Sequence, residues 1–292
     1  STYLRILHEH IPTQLHSAVN SVHATVLKFR DTKFIESSRT IRNAILKLQG
    51  NSPYGGYYCP VDCQSRHKVG ILVPYRDQEE NLSVFLYNIH PFLMKQKLEY
   101  RIFLVEQEGT DKFNRGRLFN AGFEEMKKYG SWHCIVFHDV DLIPLDERIL
   151  YSCPSWPRHM SPTVIQKLNG TKNHSIFGGV TSMTPSQYET VNGYSNLYLW
   201  GSEDFDMFWR LRFAGLHMTR YSKAIAEYLS LPHPKPPRNP FRYVSSHEGP
   251  AKYKQEGLST VEYKLVSVAE RPLYTHIVVD INPARKINSN PI

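Results

Sequence analysis

Two short clusters of carboxylates are the residues of this chain most able to carry out chemistry. In the first, a single residue separates Asp139 from Asp141, and both come shortly after an apolar run at residues 134–137. Side chains at i and i+2 of an extended chain point to the same side, so the pattern predicts two carboxylates that face the same way. Like charges placed together are costly unless a cation or hydrogen-bond donors lie between them, and a hard divalent ion that bridges a diphosphate would supply that compensation. Ordinary surface charge is the alternative interpretation of so short a pattern.

The second cluster is Glu203 and Asp204, which follow Trp200-Gly-Ser and precede apolar residues at helical spacing. This pattern predicts the first turn of a helix, where the helix dipole favours negative charge. A carboxylate kept ionised there could accept a proton from an attacking hydroxyl group, whereas ordinary capping of the helix is the alternative. Trp200, beside a flexible glycine, is an aromatic residue of the kind that stacks on sugar rings.

A third candidate is His233, which lies in the stiff, proline-flanked sequence Leu231-Pro-His-Pro. Imidazole is a common metal ligand. The chain contains 14 histidines, so a structural role in the core or on the surface is the alternative for this one.

Strands and helices alternate through the middle of the chain. Short apolar runs at residues 69–74, 101–105 and 134–137 predict buried strands, and helical patterns occupy residues 82–89 and 114–128. This rhythm predicts an α/β fold with a mostly parallel sheet and helices on its faces. Such sheets bind ligands beyond the carboxyl ends of their strands, which is where the first carboxylate cluster lies.

The beginning of the chain has a different pattern from the rest. Apolar residues recur at helical spacing between Ile41 and Leu48, and a turn-rich joint at residues 51–56 follows them. We therefore expect residues 1–54 to form a helical stem or accessory segment, and residues 55–292 to form the domain that carries the chemistry.

Composition limits the class of protein. With 292 residues, of which 41% are hydrophobic, the chain can bury a sizeable core. No stretch approaches eighteen consecutive apolar residues, so we expect any membrane anchor to lie upstream of this chain. The net charge of +8 comes from scattered basic residues without a nucleic-acid-binding motif. We expect an anionic ligand such as a nucleotide diphosphate, and no nucleic-acid partner.

The cysteines indicate an oxidising compartment. No Cys-x-x-Cys pair is present, so a zinc site is not expected, although the first two cysteines are close enough for a local disulfide. Three Asn-x-Ser/Thr sequons also favour the secretory pathway. The four cysteines are Cys59, Cys63, Cys134 and Cys153.

Taken together, eight segments in register resemble the β-1,4-galactosyltransferase family. They occur in the family's order and with similar gaps between about residue 55 and residue 281. The segments are Tyr57-Tyr-Cys-Pro-Val-Asp-Cys, Val73-Pro-Tyr-Arg, Phe113-Asn-Arg, Phe137-His-Asp-Val-Asp-Leu-Ile-Pro, Pro157-Arg-His, Phe177-Gly-Gly-Val, Trp200-Gly-Ser-Glu-Asp and Pro272-Leu-Tyr-Thr. The resemblance implies a nucleotide-diphospho-sugar transferase (GT-A type) fold in the Golgi lumen, as part of a type II membrane protein.

The resemblance also implies a donor side of the site. Pro74 and Arg76 would lie at the uridine nucleotide of a UDP-sugar, with Arg115 nearby. Asp139 would lie beside the metal at the donor, and Trp200 would belong to a small loop that closes over it.

The remaining roles concern the metal and the reaction. Asp141 and His233 match the family's metal ligands, and manganese is the typical ion. Asp204 matches the catalytic base of an inverting displacement, and Glu203 matches its acidic neighbour.

Other positions match the family's acceptor side and its disulfide. Arg242 and Tyr243 fall where the family contacts the sugar acceptor, within a loop at residues 231–247 that would close over donor and metal. Cys134 and Cys153 match a family disulfide.

Three departures from the family bear on specificity. Ile176 replaces a tyrosine that crowds the donor's C2 substituent, which favours UDP-GalNAc with UDP-Gal as the alternative. Phe205 replaces an aspartate that binds the acceptor, so terminal GlcNAc remains the default acceptor but loses a charge-assisted hydrogen bond. Ser230 replaces a thioether ligand, which leaves magnesium as an alternative to manganese. The changes at Phe205 and Ser230 also suit a relative that binds sugars but no longer catalyses their transfer.

Overall fold

The structure, a computed structural model, describes residues 54–166, 170–173, 176–198, 201–233 and 253–282. The predicted stem, apart from its last residue, lies outside these residues. So do three predicted site residues, namely Trp200, Arg242 and Tyr243.

The described part of the chain contains thirteen strands and four helices. The strands are β1 Tyr57–Tyr58, β2 Lys68–Tyr75, β3 Glu99–Gln107, β4 Cys134–His138, β5 Leu142–Pro144, β6 Arg158–His159, β7 Thr163–Gln166, β8 Gly170–Asn173, β9 Val180–Met183, β10 Thr219–Arg220, β11 Glu227–Ser230, β12 Lys264–Arg271 and β13 Tyr274–Asp280. The helices are α1 Glu79–Lys95, α2 Arg115–Lys127, α3 Pro185–Thr190 and α4 Glu203–Phe213. All the strands and helices predicted in the middle of the chain are confirmed, with ends that differ by a few residues.

The strands form two sheets. The larger has the order β10-β6-β9-β4-β2-β3-β13-β12, with β1 paired to β3. Its four central strands, β4, β2, β3 and β13, are parallel, while β9, β12 and β1 pair antiparallel. The predicted α/β fold with a mostly parallel sheet is therefore confirmed at the centre of the sheet, and antiparallel strands extend it towards both edges.

The central strands are apolar on both faces because helices cover both. Side chains alternate along β2, so Ile71 and Val73 pack with Phe85 of α1, while Leu72 packs with Phe119 of α2. Helix α2 approaches the sheet closely at Gly122, where an added Cβ would lie 2.7 Å from the Val105 side chain.

The smaller sheet has the order β5-β11-β7-β8 and brings the end of β11 beside the turn that follows β4. The predicted disulfide between Cys134 and Cys153 is confirmed and ties the start of β4 to the segment before β6. Cys59 and Cys63 are exposed free thiols, so the local disulfide that their spacing allows is not formed. Among the described residues, no helix has the length and apolar character needed to cross a bilayer.

Candidate active site

A cavity of about 220 Å³ lies beyond the carboxyl ends of the central parallel strands. Its walls are formed by the end of β2, the turn after β4, the first turns of α2 and α4, and the end of β11. Eight residues that the sequence singled out line it, although they come from six separate segments of the chain. They are Pro74, Arg115, Asp139, Asp141, Ile176, Asp204, Ser230 and His233.

Asp141 and His233 face each other on one side of the cavity. The Asp141 Oδ2 atom lies 3.4 Å from His233 Nε2 and accepts a hydrogen bond of 3.3 Å from the Ser230 hydroxyl. The backbone holds them together, since Ser230 pairs with Leu142 across the two strands and the Leu231 N–H donates to the Asp141 carbonyl at 2.7 Å. Among the described residues, no lysine or arginine is paired with this carboxylate.

The pKa of Asp141 is raised to about 6, mainly by burial and also by the nearby Asp139 carboxylate, while His233 opposes both effects. The Asp141 side chain is 16% exposed and the His233 side chain 21%. This is a desolvated carboxylate beside an imidazole and a hydroxyl, a set of donors that suits a hard or borderline divalent cation.

Asp139 reaches the same cavity, but not by the geometry expected from an extended chain. Strand β4 ends at His138, and the next residues form a turn in which the Leu142 N–H donates to the Asp139 carbonyl at 3.2 Å. The premise that Asp139 and Asp141 lie in extended chain is therefore wrong. The turn lets the two carboxylates line one cavity with different partners.

Arg115 joins the two carboxylate clusters. Its Nε donates to Asp139 Oδ1 and its Nη1 to Asp204 Oδ1, both at 2.7 Å. The guanidinium is buried over the ring of Phe119, with 4.7 Å between its central carbon and the ring centroid. Its position is fixed because Arg115 starts α2, whose first turn is capped by Asn114 through a hydrogen bond from the Arg117 N–H.

Asp204 and Glu203 differ in their positions although they are adjacent in sequence and both lie near Arg115, at 2.7 Å and 3.9 Å from its Nη1 atom. Helix α4 begins after Ser202, which is in a left-handed conformation (φ 84°), and the Glu203 carboxylate accepts the Gly201 N–H at 2.6 Å. Glu203 is buried and does not line the cavity, so for this residue the geometry favours the capping alternative. Asp204 lines the cavity and contacts Arg115.

Burial raises the pKa of both carboxyl groups. The pKa of Glu203 is raised to about 7, mainly by burial and also by the Asp204 carboxylate, while Arg115 opposes both effects. For Asp204 the direction is also upward, and Arg115 opposes the effect of burial most strongly. A carboxylate whose proton affinity is raised in this way, but which keeps a cation partner, suits general base chemistry.

Gly178 makes room for Asp204, and sequence reasoning missed this role. A Cβ added at Gly178 would lie 2.2 Å from Asp204 Oδ2, so only glycine allows the carboxylate to occupy its position. The signal was present in the Phe177-Gly-Gly-Val segment, but it was interpreted only as a family motif. Sequence analysis also missed Ser161, whose hydroxyl lines the cavity and binds the Gly178 carbonyl and the Val180 N–H.

Besides Glu203, two more predicted residues, Arg76 and Phe205, lie outside the cavity lining. Arg76 is half-buried, donates to the Asp111 carbonyl and lies over the ring of Phe113, which does line the cavity. Phe205 is half-buried and follows Asp204 on the outer surface of α4, where its ring lies 6.1 Å from that of Trp209.

Comparisons with known proteins agree with this arrangement. The chain matches the family described as the N-terminal region of glycosyl transferase group 7 over residues 23–154, and the one described as the N-terminal domain of galactosyltransferase over residues 159–234. It is 38% identical to mouse β-1,4-galactosyltransferase 1 over 235 residues, which cover 79% of this chain and 59% of that protein. It is 37% identical to β-1,4-galactosyltransferase 4 of Cricetulus griseus over 244 residues, which cover 80% of this chain and 70% of that protein. The chain thus spans about 60% of the length of the mouse relative.

Solved structures show the same fold. The catalytic domain of Drosophila β1,4-galactosyltransferase 7 in complex with xylobiose superposes with a TM-score of 0.63 at 30% identity, covering 74% of this chain and 94% of that one. A mutant of the same Drosophila enzyme, in complex with manganese, UDP-Gal and xylobiose, superposes with a TM-score of 0.62. The predicted GT-A type fold is therefore confirmed.

Proposed function

Because the chain belongs to the β-1,4-galactosyltransferase family, we propose that it is an inverting, metal-dependent glycosyltransferase. It would move galactose or N-acetylgalactosamine from a UDP-sugar to a sugar hydroxyl in β-1,4 linkage. The observation that carries this proposal is the placement of Asp141, His233 and Asp204 around one cavity, with Arg115 between the two carboxylate clusters.

The residues of the cavity support a single displacement. The acceptor hydroxyl oxygen forms a bond to C1 of the donor sugar while the bond from C1 to the diphosphate oxygen breaks, which inverts the configuration at C1. Asp204 accepts the hydroxyl proton. Arg115 holds the Asp204 carboxylate ionised and aimed, and Gly178 keeps the space in which it lies.

Asp141 and His233 are the residues that would hold the divalent cation. Their facing atoms are 3.4 Å apart, a separation that suits two ligands of one ion, and Ser230 offers a third, weaker oxygen. Among the described residues, no group of three or more His, Cys, Asp or Glu side chains is assembled for a metal. We propose that the donor's diphosphate and water would supply further ligands. A bound cation would stabilise the negative charge that grows on the UDP leaving group. Manganese is the first choice because a structural relative was crystallised with it, and magnesium is the alternative because Ser230 is a hard ligand.

Ile176 is half-buried and lines the cavity. Its side chain is proposed to contact the donor's C2 substituent and so to select the donor sugar. A branched aliphatic side chain leaves more room there than the tyrosine that the common galactosyltransferases carry. We therefore propose UDP-GalNAc as the preferred donor and UDP-Gal as the second. Replacement of Ile176 by Tyr should move the donor preference towards UDP-Gal, and an unchanged ratio would show that this side chain does not read C2.

The acceptor is proposed to be a glycan on a glycoprotein or glycolipid, with terminal N-acetylglucosamine as the default. Phe205 has no charge with which to bind this sugar. It therefore weakens the case for terminal N-acetylglucosamine and favours an acceptor that is bound by ring stacking. By family membership, the chain is proposed to act in the Golgi lumen as the catalytic part of a type II membrane protein, anchored by a segment upstream of it. We propose no nucleic-acid partner.

The proposal is tested by assaying purified protein with UDP-GalNAc, UDP-Gal and UDP-GlcNAc against a panel of sugar acceptors. Each reaction is run with manganese, with magnesium and with a chelator. We expect a β-1,4-linked product that requires metal, with UDP-GalNAc or UDP-Gal as donor. Binding of donor and acceptor without product from any donor would instead support the second candidate, a sugar-binding relative of the same fold, which the changes at Phe205 and Ser230 motivate.

A further inference from the structure

The outer surface of helix α4 carries a row of aromatic rings. Phe205, Trp209 and Phe213 recur every four residues, so they lie one above the other on the same side of the helix. Adjacent ring centroids are 6.1 Å and 6.0 Å apart. Trp209 is 37% exposed and Phe213 is 56% exposed, so two of the three rings present large apolar surfaces to solvent.

The row is not required to build the core. The opposite side of α4 supplies the buried residues, including Met207 and Leu211 in the apolar core and the fully buried Arg210. Arg210 donates to the Gly193 carbonyl and pairs with Glu256, and these contacts anchor the helix independently of the outer rings. The exposed rings are therefore available to bind something else.

The row starts at the candidate active site. Phe205 directly follows Asp204, whose carboxylate lines the cavity, and the helix then leads away from it. From Phe205 to Phe213 the helix axis advances by about 12 Å. An acceptor whose reactive hydroxyl lies at Asp204 thus has the first ring beside it, and its distal part can extend along the other two.

We propose that the row formed by Phe205, Trp209 and Phe213 is a subsite for the distal sugar rings of an oligosaccharide acceptor. This inference rests on the proposed glycosyltransferase function. Pyranose rings have apolar C–H faces that pack on aromatic rings, and their hydroxyl groups remain in water or meet polar neighbours such as the exposed Arg212, three residues after Trp209.

The shape of the surface favours sugars over other occupants. The row is one ring wide apart from the half-buried Phe208, whose ring lies 5.6 Å from that of Trp209. Its rings are only partly exposed, so it offers far less than the roughly 800 Å² per partner that a stable protein interface needs. A lipid chain would favour a broader apolar patch without a charged neighbour. A chain of sugar rings matches a single file of aromatic rings that begins at the catalytic base.

The test uses N-acetylglucosamine and its β-1,4-linked di-, tri- and tetrasaccharides as acceptors for the wild type, Trp209→Ala and Phe213→Ala. We expect the wild type to have a higher kcat/KM for the longer acceptors. In Trp209→Ala, the ratio of kcat/KM for the tetrasaccharide to that for the monosaccharide should fall by about three- to tenfold. The matched control is Tyr54→Ala, which removes a 69% exposed ring from a turn beside β12 and β13 and should keep the wild-type ratio.

A second measurement separates this inference from the proposed function. Saturation-transfer NMR of the tetrasaccharide without donor reports binding whether or not transfer occurs. Binding that is lost in Trp209→Ala supports the subsite even if no donor gives product, in which case only the proposed function fails. Transfer by the wild type with no preference for length, or with a preference that Trp209→Ala retains, overturns the subsite alone.

Two further outcomes would assign the row to another occupant and overturn the proposal. One is an octyl aglycone on N-acetylglucosamine improving kcat/KM in a Trp209-dependent way while added sugars do not, which would indicate a lipid. The other is a change of sedimentation mass in Trp209→Ala, which would indicate a second copy of the chain.

Discussion

Asp141 and Asp204 are two carboxylates of one cavity with opposite electrostatic surroundings. Asp141 follows a strand and, among the described residues, its side chain contacts a hydroxyl at 3.3 Å and an imidazole at 3.4 Å. Asp204 lies in the first turn of a helix and contacts the buried guanidinium of Arg115 at 2.7 Å. Burial raises the pKa of both, but only Asp204 has a permanent cation among its partners in the described part of the chain.

This difference shows how one cavity can use two carboxylates for two purposes. A buried carboxylate without a built-in cation gains most from an external one, so Asp141 suits the binding of a divalent ion. A buried carboxylate with a built-in cation remains ionised without a metal, so Asp204 suits the acceptance of a proton. Substitutions on the two sides should therefore have separable effects on metal affinity and on the rate of transfer.

The largest expected effect comes from removing the base. Asp204→Asn keeps the size of the side chain but loses the proton acceptor, so kcat should fall by about 10²- to 10⁴-fold. UDP and metal binding, measured by calorimetry, should be retained because Asp141 and His233 are untouched. The control is Asp146→Asn, which changes a surface carboxylate paired with Arg148 and should leave kcat unchanged. An equal loss of nucleotide binding in Asp204→Asn would point to a structural role for this residue.

The next largest effect should follow from moving the base without changing it. In Gly178→Ala the new Cβ would overlap the Asp204 carboxylate, and a displacement of about 1 Å can cost roughly 10²-fold in rate. The same substitution made in Asp204→Asn should have little further effect on kcat, because both changes act through one group. Additive losses in the double variant would mean that Gly178 acts elsewhere in the site.

Features that depend on residues close together in sequence could be predicted from the sequence, whereas features that depend on residues far apart in sequence could not. Strands β2, β3 and β4, the helix starting at Glu203 and the cavity position of Asp141 follow from local patterns and from the rule for parallel sheets. The different roles of Glu203 and Asp204 were implied by the family resemblance but could not be predicted from the local pattern, because they depend on the unusual conformation of Ser202 and on Arg115, 89 residues before Asp204. The turn at Asp139 was missed since the end of a strand is determined by pairing with strands far away in sequence.

A smaller effect is expected from weakening the built-in cation. Lysine at position 115 cannot contact Asp139 and Asp204 together, so Arg115→Lys should lose part of the pairing and lower kcat by about tenfold. Arg115 opposes the increase that burial causes in the pKa of Asp204, so its replacement should raise that pKa. Because Asp204 must be ionised to act as the base, the acid limb of the pH profile of kcat should move to higher pH. Arg148→Lys, in a surface pair, should not move it, and an unshifted limb in Arg115→Lys would contradict the contrast drawn between the two carboxylates.

The smallest effect should come from the metal side, at Ser230. Its hydroxyl donates a single hydrogen bond to Asp141, and such a bond contributes about 0.5–1.5 kcal/mol. Ser230→Ala should therefore raise the manganese concentration for half-maximal activity by about two- to tenfold, with kcat at saturating metal retained because Asp204 and Arg115 are unchanged. Ser83→Ala, which removes an exposed hydroxyl bonded to the Glu79 carbonyl, is the matched control.

Ser230→Met replaces the hard oxygen with a soft thioether, so it should favour manganese over magnesium more strongly than the wild type does. If Ser230→Ala lowered kcat at saturating metal as much as Gly178→Ala does, the metal side and the base side would not be separable, and the two carboxylates would act as one group.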